Sequence, residues 1–114
     1  MLTLLNDNRG HLWIGTIGGL YCLDEDKITT IPLNGKRKET VFCIMEDSDK
    51  KIWVSTRSAV FVSDPAGSPD FTAYPGINDH QHPVINLFQD SSRRLWFLKL
   101  KAGILLKKEG MTRR

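Results

Sequence analysis

The stretch DNRGHLWIGTIGGL, from Asp7 to Leu20, recurs twice in altered form, as DSDKKIWVSTRSAV from Asp47 to Val60 and as DSSRRLWFLKLKAGI from Asp90 to Ile104. In every copy an aspartate stands six residues before a tryptophan (Trp13, Trp53 or Trp96), and a branched aliphatic residue precedes the indole. The aspartates fall at 7, 47 and 90, giving steps of 40 and 43 residues. A period of about 40 with strand-like content indicates stacked four-stranded blades, units that bury their faces only against one another.

Reading outward from the motif, each aspartate is preceded by a strand-like run: MLTLLN from Met1, VFCIME from Val41 and VINLFQ from Val84. The runs LYCL, VFVS and ILLK follow the glycine or its substitute, and ITTIPL (Ile28 to Leu33) and FTAY (Phe71 to Tyr74) come later. These segments are rich in Val, Ile, Leu, Phe, Trp and Thr and are broken by Asp, Asn, Gly, Ser and Lys clusters, the mark of short strands. The expectation is an all-β fold: a β-propeller segment of about three four-stranded antiparallel blades over 1–33, 41–74 and 84–114, the last truncated, forming an incomplete ring. Between the first two strands of a blade, the aspartate suits a tight turn whose amides it accepts two or three residues ahead. Gly10 offers positive φ there, and Lys50 and Arg93 take its place in the later units. The continuous apolar runs LWIG, IWVS and LWFL predict second strands covered on both faces, with the tryptophans packed between blades.

Composition agrees with one globular unit: 114 residues, 40% hydrophobic and 25% charged. No run approaches the roughly 18 apolar residues of a membrane span, and the N-terminus lacks a basic region before an apolar core. Membrane contact is therefore expected only through a longer parent chain. Cys22 and Cys43 lack metal-ligand or CxxC spacing and read as unpaired, small hydrophobic residues. His80 and His82 share a face of an extended loop without the third ligand that zinc requires, so no metal is expected. The acidic run Asp24-Glu25-Asp26 reads as a solvated turn, and no nucleophile, base and orienting group can be assembled by spacing. The chain is expected to be non-catalytic and without a cofactor. Residues 1–90 carry 8 Lys or Arg against 12 Asp or Glu, and residues 91–114 carry 8 against 1, net charges of −4 and +7. That basic end lacks an aromatic-basic platform or a reading helix, so no nucleic-acid contact is expected.

The first unit resembles the two-component regulator propeller repeat, D-x-x-G-x-L-W-I-G-T-x-x-G-L, at every defined position, including Asp7, Gly10, Trp13, Thr16 and Gly19. The second keeps Asp47, Trp53 and Thr56, and the third keeps Asp90, Trp96 and Gly103. The resemblance implies the periplasmic sensor region of a hybrid two-component system of Bacteroides-like bacteria. Such a region responds to an oligosaccharide and signals to a histidine kinase in the parent chain, which controls transcription.

In a propeller of this connectivity, one rim combines the loops 34–40 and 75–83 with the turns at 17–18, 57–58 and 100–101. Arg57, His80, His82 and Lys101 lie there and are the expected ligand-binding residues. Two other functions fit the same residues: a structural scaffold for protein association, and a non-catalytic part of a propeller carbohydrate-active enzyme. Three blades are too few to close a ring, so the expected partners are further propeller blades or a second copy of the chain.

Overall fold

A computed structural model describes residues 2–33, 38–57, 59–63, 71–74, 84–101 and 103–109. All regular structure among them is β. The first sheet is a meander of β1 (Leu2–Asn6), β2 (Leu12–Thr16), β3 (Gly19–Asp24) and β4 (Lys27–Ile31). The second repeats it with β5 (Val41–Glu46), β6 (Ile52–Thr56), β7 (Val60–Ser63) and β8 (Phe71–Ala73). The third contains β9 (Val84–Gln89), β10 (Leu95–Lys101) and β11 (Gly103–Glu109). Every described pairing is antiparallel between consecutive strands. The sheets stack in chain order with their first strands adjacent, β5 lying against both β1 and β9. These three sheets form an open arc rather than a closed ring.

Hydrophobic cores lie between the sheets, as the repeat requires. Between the first and second, Trp13, Leu20 and Ile31 meet Val41, Ile44, Ile52, Val54 and Phe61. Trp13 also makes an edge contact with Phe71, ring centroids 5.5 Å apart. Between the second and third, Trp53 and Val60 meet Val84, Leu87, Leu95 and Phe97. The interface is directional: the tryptophan face of one sheet packs on the opposite face of the next.

This stacking order corrects the expectation that all three second strands are covered on both faces. β6 is buried along its whole length, whereas β2 alternates between buried and half-buried residues. In β10, Leu95 and Phe97 are buried, while Trp96 and Leu98 are only half-buried. Among the described residues, only the central sheet has a neighbour on each side, so equivalent apolar runs acquire different environments. Trp13 and Trp53 are 2% exposed, and Trp96 instead stacks on Phe88 at the outer face of the third sheet.

Gly15 shows how closely the blades approach. A β-carbon there would stand 2.5 Å from Val41 Cγ1 and 2.7 Å from Thr3 Cγ2. Gly15→Ala is expected to cost about 1–3 kcal/mol through overpacking, as measured by urea unfolding. Shortening the opposing side chain in Gly15→Ala/Val41→Ala should recover part of that loss.

Candidate functional site

Each sheet has two ends that differ in kind. At one end, the turns between first and second strands are built around the repeat aspartates. Oδ1 of Asp7 accepts the amides of Arg9 and His11 at 2.8 and 2.9 Å, and Oδ2 accepts the Trp13 indole N–H at 2.9 Å. Asp47 accepts the amides of Asp49 and Lys51 and the Trp53 indole in the same way. Asp90 does so with Ser92, Arg94 and Trp96. The spacing of six residues thus has a direct cause: one carboxylate closes the turn and also satisfies the indole of the core tryptophan. A satisfied indole can be buried without the cost of an orphan donor.

Gly10 adopts φ 86°, and Lys50 and Arg93 keep this left-handed conformation at 69° and 65°. The turn type therefore survives loss of glycine. Because a β-carbon is disfavoured there, Lys50→Gly is expected to stabilise the protein by up to about 1 kcal/mol in urea unfolding. Arg93→Gly should gain less, because Arg93 Nη2 also pairs with Asp49 Oδ1 at 2.7 Å and its Nε donates to Ser48 Oγ. At the same end, Glu25 and Asp26 form the two-residue β3–β4 turn, both with positive φ. This assigns the acidic run to an exposed hairpin tip.

Two of the turn carboxyls, Asp7 and Asp90, titrate below the ordinary carboxylate range. The Trp96 indole, together with the Arg94 amide, holds Asp90 at about 2. Burial pushes Asp7 upward, but the Trp13 indole and the amides of His11 and Arg9 outweigh it, leaving its pKa below the ordinary value. A carboxylate whose folded pKa is depressed stabilises the fold above its unfolded pKa and loses that contribution as pH falls through the folded value. The thermal midpoint should therefore be insensitive to these groups from about pH 7 to 5 and fall between about pH 4 and 2. Asp7→Asn/Asp90→Asn should be less stable at neutral pH and show a shallower acid decline.

The opposite end carries the expected ligand rim. Its hairpin turns are shaped by the repeat threonines: Thr16 Oγ1 accepts the Gly18 amide and donates to Gly19 O. Thr56 Oγ1 donates to Ala59 O and accepts the Ala59 amide. Gly19 faces Thr16 in the first hairpin, whereas Gly103 faces Lys101 in the longer third hairpin. Thr40, entering the second sheet, joins the first two turns. Its hydroxyl donates to Ile17 O at 3.2 Å, and its carbonyl accepts the Arg57 amide at 3.1 Å.

Ile17, Thr40 and Arg57 thus meet at one rim, with Ile17 67% exposed and Arg57 also exposed. Of the residues expected there, Arg57 is on this cluster, and Lys101 ends β10 at the corresponding hairpin of the third sheet. His80 and His82 lie outside the described residues. Thr40 has no equivalent in the repeat motif, and no periodic signal marks it. The rim offers a cation, backbone polar groups and an exposed apolar side chain, a combination suited to reversible binding of a polar ligand with an apolar face. Among the described residues, no group of three or more His, Cys, Asp or Glu is placed to hold a metal ion. Cys22 and Cys43 are unpaired and half-buried, and burial raises both thiols above their ordinary pKa.

Residues 1–18 and 35–58 match the two component regulator propeller family. The structure is similar to that of the extracellular domain of a putative hybrid two component system from B. thetaiotaomicron, with TM-score 0.72 and 29% sequence identity. That similarity covers 90% of this chain and 15% of the other. No curated protein matches the chain.

Proposed function

We propose that this chain is a non-catalytic, ligand-sensing segment of a two-component regulator, a reading supported by the match of residues 1–18 and 35–58 to the two component regulator propeller family. The similar structure is an extracellular domain, which supports a place outside the cytoplasmic membrane, in the periplasm or beyond. The proposed ligand is an oligosaccharide held at the Ile17, Thr40 and Arg57 rim, and the proposed receiver of the signal is a histidine kinase in the parent chain, acting on transcription. One observation carries this reading: Thr40 ties the rim turns of two consecutive blades together through Ile17 and Arg57. A ligand bridging them favours one blade arrangement over another, the requirement for passing a signal.

The test is a glycan array followed by titration calorimetry with the full chain. Saturable binding of a defined oligosaccharide is expected, weakened about tenfold, equivalent to 1.4 kcal/mol, by Arg57→Ala. Absence of binding across acidic and neutral glycans would remove the oligosaccharide from the proposal, and turnover of a bound glycan would replace sensing with catalysis.

A further inference from the structure

Four places after each repeat aspartate stands a basic side chain: His11, Lys51 and Arg94. In the third copy, Arg94 Nε donates to Asp90 Oδ2 at 3.0 Å, the oxygen that also accepts the Trp96 indole. In the first copy, His11 Nδ1 stands 3.2 Å from Asp7 Oδ2, the oxygen that accepts the Trp13 indole, and His11 Nε2 stands 3.5 Å from Asp24 Oδ2. The imidazole therefore lies between two carboxylates, one with a wholly buried side chain and one 59% exposed. A neutral imidazole carries one N–H and serves one of them, turning a nitrogen lone pair toward the other; imidazolium donates to both. Lysine and arginine keep their charge near neutrality, whereas histidine changes its charge between about pH 5 and 8. On the elements around His11, the other charged or titratable groups are Arg9 on the same turn, Cys22 on β3, Glu25, Asp26 and Lys27 at the β3–β4 hairpin, and Glu46 of the second sheet. The Cys22 thiol is raised first by burial and then by Asp7 and Asp24, and Glu46 Oε2 accepts the Asn8 amide at 3.4 Å. With Asp7 and Asp24 included, this end of the first sheet sets five carboxylates against the two cations Arg9 and Lys27, a field that attracts an added positive charge.

We propose that His11 is a proton-operated clasp on the first sheet: as imidazolium it ties Asp24, at the end of β3, to Asp7 of the β1–β2 turn, and on losing a proton it releases one of them. The hairpin that it steadies is a strained one. Glu25 and Asp26 both hold positive φ without being glycine, and Asp24 and Lys27 are the register pair that closes on them. The turn at the other side of the clasp is the one that anchors Trp13 in the core between the first and second sheets. Mild acid thus fastens two neighbouring turns of the first sheet. The device is confined to this copy, because Lys51 and Arg94 carry a fixed charge at the equivalent positions. It operates whatever the rim binds and so stands apart from the sensing role.

A double-mutant cycle of His11→Gln and Asp24→Asn in the full chain, read by urea unfolding at about pH 5.5 and about pH 8, tests it. The two side chains should couple about two- to fivefold in the folding equilibrium constant at the acid value, the size of an exposed ion pair, and not measurably at the alkaline one. The stability contributed by the clasp is therefore present at mild acid and lost as pH rises through the histidine range. His80 and His82 are common to all four proteins and cancel from the cycle. A cooperative thermal melt verifies each variant's fold, and Asp24→Ser takes the place of Asp24→Asn if the latter fails to fold. Equal coupling at the two pH values, coupling confined to the alkaline value, or none at the acid value would each overturn the proposal.

Discussion

Trp53→Ala is expected to lower the unfolding free energy by about 3–5 kcal/mol, the cost of emptying a large aromatic site in a closed core. Trp53 is 2% exposed and makes edge contacts with Tyr74 and Phe97 at centroid distances of 5.0 and 6.1 Å. Its removal opens a cavity between the second and third sheets, where it packs with Leu87, Leu95 and Phe97. It also withdraws the indole from Asp47 Oδ2, leaving a carboxylate oxygen facing the gap. Against a typical domain stability of about 5–15 kcal/mol, this is a large fraction of the whole. Trp96→Ala should cost clearly less in urea unfolding, because Trp96 is only half-buried on the outer face of the third sheet. Equal losses would contradict the directional packing described above.

Asp47→Ala should be the next most damaging change, at about 2–4 kcal/mol. The side chain is 4% exposed and accepts two amides and one indole. An unsatisfied buried donor costs about 1–3 kcal/mol, and loss of the turn acceptor adds to it. Asp47→Asn should be nearly as harmful, since presenting an amide nitrogen to either set of donors leaves that set without an acceptor. A double-mutant cycle with Trp53→Phe should reveal a favourable coupling between the pair, because each partner's role depends on the other. Additive losses would mean that the indole bond contributes little and that aspartate serves the turn alone.

Much of the fold was legible because the repeat states its periods twice, in spacing and in strand pattern. The boundaries of VFCIME, VFVS and VINLFQ coincide with β5, β7 and β9, since each run is bounded by turn residues. The turn function of the aspartates was also legible, through their known affinity for amides a few residues ahead. Their bond to the tryptophan was not: a separation of six residues gives no orientation until the hairpin folds the indole back over the turn. The rim was legible only in outline. Arg57 could be assigned to it from hairpin periodicity, but its junction with Thr40 and Ile17 depends on the approach of a loop outside the repeated motif.

Sequence alone therefore determined the all-β repeat: its strand order, its turns and the aspartate-to-tryptophan spacing, because these follow from local periodicity and side-chain chemistry. Tertiary structure decided what each copy of the motif experiences. Stacking covers both faces of β6 but only one face of β2 and β10, so equivalent residues differ in burial according to whether a neighbouring sheet stands beside them. The same geometry distinguishes the two ends of the stack, a property that no single repeat contains.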